Sequence, residues 1–533
     1  MNPFAKMLDS WLATGARLRV NGEDVAAEMV VGQACAVAEQ LRSLGVDHTS
    51  HVATFMNTGT EALAVWFGSA MVGCLEVPLN TNYRGDLLGY LLRDSGVEVV
   101  FCDAELLGTL TESLPGTSVR HVLVAGDVPE HDGDRPVIGL AAGSRGESAE
   151  FGRWCSKTSS GVVLYTSGTT GPSKGVHHSQ ESCVELARAV ARLNGYGSED
   201  TLLNFFPLYH QNARYTGVGA ALASGAGFQL DRQFSSSRFW DICRAGRVTA
   251  FNYLGSVLGM ILKTSQDLDD REARDHSVRL AWGAGAPREV WAPFESRFGV
   301  SITEVYGLTE APMATVNRSV DRSPVGSAGR ESDLFHVQVV RSDGEPAAPG
   351  EVGQIRLRPK RSNIFMRGYL GRDADTVAAT RDLWFHTGDA GWLSEDGDLF
   401  FADRLKDAIR RKGENISAWE IESVLLSHPD VVECAVYAVR PADAEEDEVM
   451  AAMVLRPDAD GAAVVAAVEH RLPRYAVPRF VRVLPALPRT PTQKVEKGML
   501  RATGLDGEVI DRAAATAGRA PKPGGAMHRK AGE

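Results

Sequence analysis

The segment Tyr165-Thr-Ser-Gly-Thr-Thr-Gly-Pro-Ser-Lys-Gly175 concentrates the residue types that grip phosphate. Gly168, Gly171 and Gly175 open backbone conformations closed to other residues. The hydroxyls of Thr166, Ser167, Thr169 and Thr170, with the intervening amides, can then converge on phosphate oxygens. Lys174 adds a point charge for the same anion. The Gly-x-x-x-x-Gly-Lys-Ser/Thr spacing of a Walker A loop is absent, which disfavours a P-loop kinase or ATPase. Composition by itself leaves a second reading open, a Gly/Ser/Thr surface loop without chemistry.

Such a loop needs rigid neighbours. Gly161 to Thr166 reads as an apolar strand before it, and a helical pattern begins at Ser179 after it. Upstream, Ala34 to Leu44 reads as an amphipathic helix closed by Gly45, His51 to Phe55 as a strand and Glu61 to Gly73 as a helix. Val97 to Cys102, Val122 to Ala125, Thr201 to Phe206 and Val278 to Trp282 read as further strands. This alternation predicts an α/β fold with mostly parallel sheet covered by helices. From Val337 the texture turns to strands and turns, with Asp343-Gly344 as a turn and Gly353 to Leu357 as a strand, a small β subdomain. Past Asp403 the pattern is helix Ser417 to Leu426, strands Val431 to Val439 and Val449 to Leu455, and helix Ala462 to Arg471. That is a compact α+β unit. The pattern divides the chain into an N-terminal domain over 1–403, this α+β unit over 407–505 and a tail over 506–533 expected to be disordered, rich in Ala, Gly, Pro and basic residues.

The 533 residues carry 56 Lys and Arg against 68 Asp and Glu, a net charge of −12 that argues against a general nucleic-acid binder. The longest nearly apolar run, Ala62 to Leu75, is too short to span a bilayer and reads as a buried helix. The start shows no secretory signal, and the seven cysteines are scattered without a C-x-x-C pair. A cytoplasmic protein with buried free thiols is expected, with a homodimer as one assembly.

The phosphate loop closely resembles that of the adenylate-forming superfamily, which includes acyl-CoA synthetases, luciferases and nonribosomal adenylation domains. Companion segments extend the resemblance over nearly the whole chain, in order. Val305-Tyr-Gly-Leu-Thr-Glu310 looks like the adenylate-contacting motif. The resemblance implies that Tyr306, Gly307 and Thr309 contact the nucleotide, Thr309 at the α-phosphate, and that Glu310 holds Mg²⁺. One carboxylate with ATP oxygens suits that hard cation, although an isolated Thr-Glu pair is more often a helix cap. Gly283-Ala-Gly-Ala-Pro287 resembles the adenine-flanking turn, with Gly285 and Ala286 against the base. His386-Thr-Gly-Asp389 resembles the ribose motif, where one carboxylate accepts from both hydroxyls of a cis-diol. Asp403-Arg-Leu-Lys-Asp407 resembles the family's hinge, and the resemblance implies a hinge at 404–406 before a mobile domain over 407–505, with Arg404 on the ribose and Lys406 at the pivot. Leu487-Pro-Arg-Thr-Pro-Thr-Gln-Lys494 resembles the C-terminal catalytic-lysine motif. Lys494 would bridge the acid's carboxylate and the α-phosphate, a cation placed on developing charge.

Asn204-Phe-Phe-Pro-Leu-Tyr-His-Gln-Asn-Ala213 resembles the acyl-pocket segment, with His210 at a gating position; a core histidine is the equal alternative on spacing. Arg214, Tyr253 and Trp282 are further acid-pocket candidates. The wording here, and in Phe234 to Asp241 and Phe294 to Gly299, is similar to crotonobetaine/carnitine–CoA ligases. Two positions depart from the family pattern. Lys412 replaces a Gly before Gly413 at the acceptor channel, and Gln493 replaces the Gly before Lys494. The reaction implied is AMP-forming ligation of an acid to CoA, with ATP and Mg²⁺ as requirements. A diazotase using nitrite and an aryl amine in natural-product biosynthesis, a carrier-protein acylating ligase and a non-catalytic nucleotide-binding scaffold are the alternatives.

Overall fold

A computed structural model of the chain describes residues 1–128, 136–143, 151–166, 173–255, 257–318, 323–404, 409–411, 414–416, 418–441, 447–472, 474–489 and 495–513. The chain divides into two compact units, Met1–Thr387 with Gly391–Phe401, and Gly388–Ala390 with Ala402–Glu533.

Among the described residues, the first unit is built on two large sheets. One has eight strands in the order Gly368–Tyr369, Lys174–His178, Gly161–Thr166, Leu75–Pro78, His51–Phe55, Val99–Asp103, His121–Ala125 and Val137–Gly139. Its centre is parallel, from the pairing of Gly161–Thr166 with Leu75–Pro78 out to the last strand. The other has nine, with the parallel run Thr201–Asn204, Ala250–Leu254, Leu280–Ala284 and Ser301–Tyr306 in the middle and an antiparallel continuation through Thr315–Arg318. The central strands read as nearly continuous apolar runs because both faces of a parallel sheet are covered. A smaller sheet follows, ordered Phe335–Val340, Gly353–Pro359, Phe385–Leu393 and Leu399–Arg404.

The apolar run from Ala62 becomes the helix Thr60–Val72, buried on every side from Ala62 to Val72. It packs against the helix Ala27–Ser43, which begins seven residues earlier than its sequence pattern announces. A helix apolar all round is a core helix when it is too short to span a membrane. Burial of each large side chain such as Leu63 or Phe67 stabilises the unit by about 1.5–3 kcal/mol. No helix among the described residues is long and apolar enough to cross a membrane.

The second unit is an α+β sandwich. Its strands Val431–Val439, Glu448–Leu455, Phe480–Val483 and Ile510–Asp511 form one sheet, and the helices Ala418–Leu426 and Gly461–Val468 supply Ile421, Leu425, Val464, Val465 and Val468 to its core. One expectation is corrected here. The tail expected to be disordered from 506 is ordered as far as residue 513. Ile510–Asp511 pairs with Phe480–Val483, and Asp511 bonds Arg479 (Nη2 to Oδ2 2.9 Å). Val509 and Leu505 pack on the second face of the sheet. Two short apolar side chains and one well-placed carboxylate are enough to pin a segment whose overall composition reads as loop. Residues 514–533 lie outside the described residues.

Candidate active site

The stems of the phosphate loop are two antiparallel strands. Gly161–Thr166 pairs with Lys174–His178 in the register Thr166 opposite Lys174. The second strand is absent from the sequence reading, because Lys-Gly-Val-His-His carries no apolar alternation. Ser167, Gly168, Thr169, Thr170 and Gly171 lie outside the described residues. The stems themselves are braced. Tyr165 donates its hydroxyl to Asp94 Oδ2 at 2.8 Å. Tyr90 donates to the carbonyl of Ser173 at 2.9 Å. Arg372 Nη2 then reaches both Tyr90 Oη (2.7 Å) and Asp94 Oδ1 (3.2 Å). One carboxylate and one guanidinium therefore hold both ends of the loop.

The Thr309-Glu310 pair sits on the connection between the antiparallel strands Ser301–Tyr306 and Thr315–Arg318, and not at a helix cap. Gly307 is required for close approach there: a Cβ at that position would stand 2.5 Å from the Met313 amide nitrogen. The turn is fixed from outside. Buried His178 places Nε2 2.6 Å from the Thr309 carbonyl oxygen. Met366 donates its amide to the Glu310 carbonyl at 3.1 Å. The buried Glu310 carboxylate accepts from the Tyr369 hydroxyl, 2.8 Å to Oε1. Lys174 Nζ lies 5.0 Å over the ring of the same tyrosine and pairs with Asp375 Oδ2 at 2.9 Å. Lys174, Tyr369 and Glu310 thus stand in one row. Tyr306, just before the turn, is buried against Phe401, ring centroids 6.0 Å apart.

Gly285 adopts φ +80°, a left-handed conformation in which L side chains are strained. The turn it makes is held by a residue sequence reasoning missed. Glu304 is buried; Oε1 accepts from the Gly285 amide, and Oε2 accepts from the Ala286 amide (3.0 Å) and the Tyr253 hydroxyl (2.5 Å). Burial outweighs these three donors and pushes its carboxyl up to about 7. The only sequence signal was a lone charged residue in the strand Ser301–Tyr306. Burial likewise pushes His178 down to about 4.

Three of the acid-pocket candidates are buried and have partners within the fold. Arg214 is 2% exposed, and its guanidinium makes a bidentate ion pair with buried Glu76, at 2.8 and 2.6 Å. Its face lies 4.6 Å from the Trp66 ring centroid. A cation neutralised this fully has no donor pair left for a substrate carboxylate. Tyr253 is 0% exposed and committed to Glu304, and Trp282 is 1% exposed within the core. His210 is half-buried, edge-on to Tyr209 with centroids 4.6 Å apart. It precedes a π-helical segment, Asn212–Gly219, that no sequence signal announced. Such segments occur frequently at functional sites. Asn252 donates to Asn212 Oδ1 (2.8 Å) and Thr216 Oγ1 (2.9 Å), fixing that segment to the central sheet.

Asp389 is buried in the strand Phe385–Leu393, which falls to the second unit over Gly388–Ala390. Arg404 ends the strand Leu399–Arg404. Lys406, Lys412, Gly413, Gln493 and Lys494 lie outside the described residues. Among the described residues no group of three His, Cys, Asp or Glu stands together as a metal cage. Glu310 as a single oxygen donor is the arrangement a magnesium ion carried largely by nucleotide phosphates requires.

Comparison with known proteins gives this geometry its family. Residues 28–370 match the model of the AMP-binding enzyme, and 420–494 match the AMP-binding enzyme C-terminal domain. Long-chain fatty acid transport protein 6 of Mus musculus is 32% identical over 489 residues, 85% of this chain and 77% of that protein. The medium/long-chain-fatty-acid–CoA ligase FadD6 of Mycobacterium tuberculosis is 31% identical over 500 residues, 89% and 81% of the two chains. The sulfoacetate–CoA ligase of Cupriavidus necator is 30% identical over 468 residues, 85% and 87%. The crystal structure of the anthranilate CoA ligase AuaEII with anthranoyl-AMP superposes with TM-score 0.81 at 22% identity, covering 96% of this chain and 97% of that one. With both domains matched and the turn Thr309-Glu310 clamped beside Lys174, the chain belongs to the AMP-binding enzyme family, as an AMP-forming acid–CoA ligase.

Proposed function

We propose that the chain performs its ligation with Thr309, Glu310, Lys174, Asp389 and Lys494 in the roles their motifs carry. In the first half-reaction an acid's carboxylate oxygen attacks the α-phosphorus of ATP. The O–P bond to the acid forms, the bond to the β-phosphoryl oxygen breaks, and pyrophosphate leaves. In the second, the CoA sulfur attacks the acyl carbon and AMP leaves with the C–O electron pair. Neither step needs a covalent protein intermediate; orientation and charge neutralisation supply the catalysis.

The observation that supports this most directly is the double clamp on the Thr309-Glu310 turn. His178 holds the Thr309 carbonyl and Met366 the Glu310 carbonyl, while Tyr369 orients the Glu310 carboxylate. A turn fixed by three partners supports a role in which the Thr309 hydroxyl meets a phosphate with little reorganisation. Glu310 is the residue to hold Mg²⁺, which supplies charge neutralisation at the phosphates when bound. Glu304 shapes the adenine turn by holding the Gly285 and Ala286 amides inward. Asp389 takes the ribose hydroxyls. Lys494 serves adenylation, with the second unit pivoting near Lys406. Gln493 and Lys412 bear on the acceptor step.

Relatives of similar identity are ligases of medium/long-chain fatty acids and of sulfoacetate, so relatedness leaves the acid open. Incubation with ATP, Mg²⁺, CoA and a panel spanning fatty, aromatic and short polar acids is expected to yield AMP and one class of thioester. AMP release that requires nitrite and an aryl amine, with no thioester formed, would overturn the CoA acceptor and leave adenylation standing. Lys494→Ala is expected to abolish adenylation while sparing thiolation of a preformed acyl-adenylate. Equal loss of both half-reactions would remove the role given to Lys494.

A further inference from the structure

Lys174 and Asp375 make an ion pair across two elements, Nζ to Oδ2 2.9 Å, with both side chains about two-fifths exposed. Lys174 opens the strand Lys174–His178, and Asp375 lies in the first turn of the helix Asp373–Ala379. That helix buries none of its own residues. The second cation near Asp375 is Arg372, whose Nη1 stands 3.9 Å from the same oxygen. Arg372 has its own partners in Asp94 and Tyr90. Its nearer carboxylate is Asp94, so Asp375 is left chiefly to Lys174. The Lys174 hydrogen bond holds the Asp375 carboxyl below its ordinary range.

The ammonium of Lys174 is the cation assigned above to the ATP phosphates, so two anions claim it. One is the fixed carboxylate 2.9 Å away; the other is the triphosphate. An ammonium has three N–H donors and could touch both. The charges do not permit this without cost, since a carboxylate within 3 Å of the ammonium would stand against a polyanion. We propose that Asp375 is a competitor for Lys174. It parks the lysine in the nucleotide-free enzyme and must release it when ATP arrives, so it sets nucleotide affinity and leaves turnover alone. The proposal rests on the phosphate role of Lys174. It also gives the geometry a purpose: the parked Nζ stays over the Tyr369 ring, whose hydroxyl holds Glu310. The charge therefore waits beside the carboxylate that the metal will use.

The test is a double-mutant cycle on the full chain, reading MgATP affinity by calorimetry together with KM and kcat. Asp375→Asn is expected to tighten MgATP binding and lower KM by about two- to fivefold, the scale of an exposed ion pair. kcat at saturating ATP and the melting midpoint are expected to stay unchanged. Lys174→Ala is expected to weaken MgATP binding, and Asp375→Asn added to it is expected to recover little. Asp375→Glu should behave as the unmodified protein. If Lys174→Ala weakens binding but Asp375→Asn also weakens it or leaves it unchanged, the competitor role is overturned and the phosphate role of Lys174 survives. If Lys174→Ala leaves MgATP affinity unchanged, the phosphate role itself falls and the competitor role with it.

Discussion

The imidazole of His178 stands 2.6 Å from the Thr309 carbonyl oxygen through Nε2 and 3.1 Å from the Ser182 hydroxyl through Nδ1. A carbonyl only accepts, so Nε2 carries the proton and Nδ1 accepts from Ser182. The ring is neutral, and burial enforces this by pushing it down to about 4. His178→Ala leaves the Thr309 carbonyl without its partner and removes one of the clamps on the Thr309-Glu310 turn proposed to meet the nucleotide. The expected result is a destabilisation of about 1–3 kcal/mol and a fall in kcat/KM of about tenfold to a hundredfold, the scale of a misplaced catalytic group. Chemical denaturation and steady-state kinetics check the two parts separately.

His178 and Glu304 make opposite contributions to stability against pH. Folded His178 titrates near 4 and an unfolded His near 6.5, so between these values the unfolded chain binds the extra proton. Stability from His178 is present above about 6.5 and lost as pH falls toward about 4. Folded Glu304 titrates near 7 and an unfolded Glu near 4.3, so there the folded chain holds the extra proton. Stability from Glu304 is present below about 4.3 and lost as pH rises through about 7. Each window is worth about 3 kcal/mol, and the two slopes cancel between roughly pH 4.5 and 6.5. His178→Asn is therefore expected to expose a decline in stability from pH 4.5 to 7 relative to the unmodified protein. Glu304→Gln is expected to expose a decline from pH 6.5 to 4. Urea midpoints across pH for the three proteins test the pair.

Glu304→Gln also bears on nucleotide binding. Both carboxylate oxygens accept, from two successive backbone amides and from Tyr253. An amide side chain must turn one donor toward one of these donors. The turn at Gly285, already in a left-handed conformation, then loses a tether. KM for ATP is expected to rise several-fold with a smaller change in kcat, at a stability cost of about 1–3 kcal/mol.

How much of this was legible in the sequence divides along physical lines. Parallel strands buried on both faces write themselves as apolar runs, so His51–Phe55 coincides with its sequence reading. Gly161–Thr166, parallel on one side, and the antiparallel Val431–Val439 are apolar enough to coincide as well. The loop and the Thr309-Glu310 turn were legible through their resemblance to the family's motifs. The supports around them left no such trace. Glu304, His178, Asp94 and Tyr369 come from four separate stretches of chain and meet the site only through folding. A single polar residue in an apolar strand does not say which amide it will reach. Burial was equally illegible: Arg214, Tyr253 and Trp282 are large and chemically capable, and the structure buries all three.

Tyr369 offers a narrower probe of Glu310. Its hydroxyl donates to Oε1 at 2.8 Å, and burial with the neighbouring carboxylate pushes its pKa up, so it remains a donor at neutral pH. Tyr369→Phe keeps the ring beneath Lys174 and removes only that bond. The carboxylate is then free to turn, and the expected effect is a several-fold higher Mg²⁺ requirement for adenylation at fixed ATP. Titrating Mg²⁺ in a pyrophosphate-release assay reads it directly.

The Arg214–Glu76 pair yields the prediction that separates structure from specificity. Its two side chains are 2% and 4% exposed, and Thr54 adds a hydroxyl at 3.1 Å to Glu76 Oε1. Removing one partner leaves the other charge buried and uncompensated, a cost of about 3–5 kcal/mol. Arg214→Met alone is therefore expected to lower the unfolding midpoint of the larger unit strongly. Arg214→Met combined with Glu76→Leu replaces both charges by apolar side chains and is expected to recover most of that loss, because an apolar replacement of a buried pair is often neutral. The pair ties the π-helical segment Asn212–Gly219 to the strand Leu75–Pro78. A residue that bound the substrate carboxylate would instead change which acids are accepted. The rank order of acids in the double variant is expected to match that of the unmodified protein. A reordered acid preference with stability restored would return Arg214 to the substrate pocket.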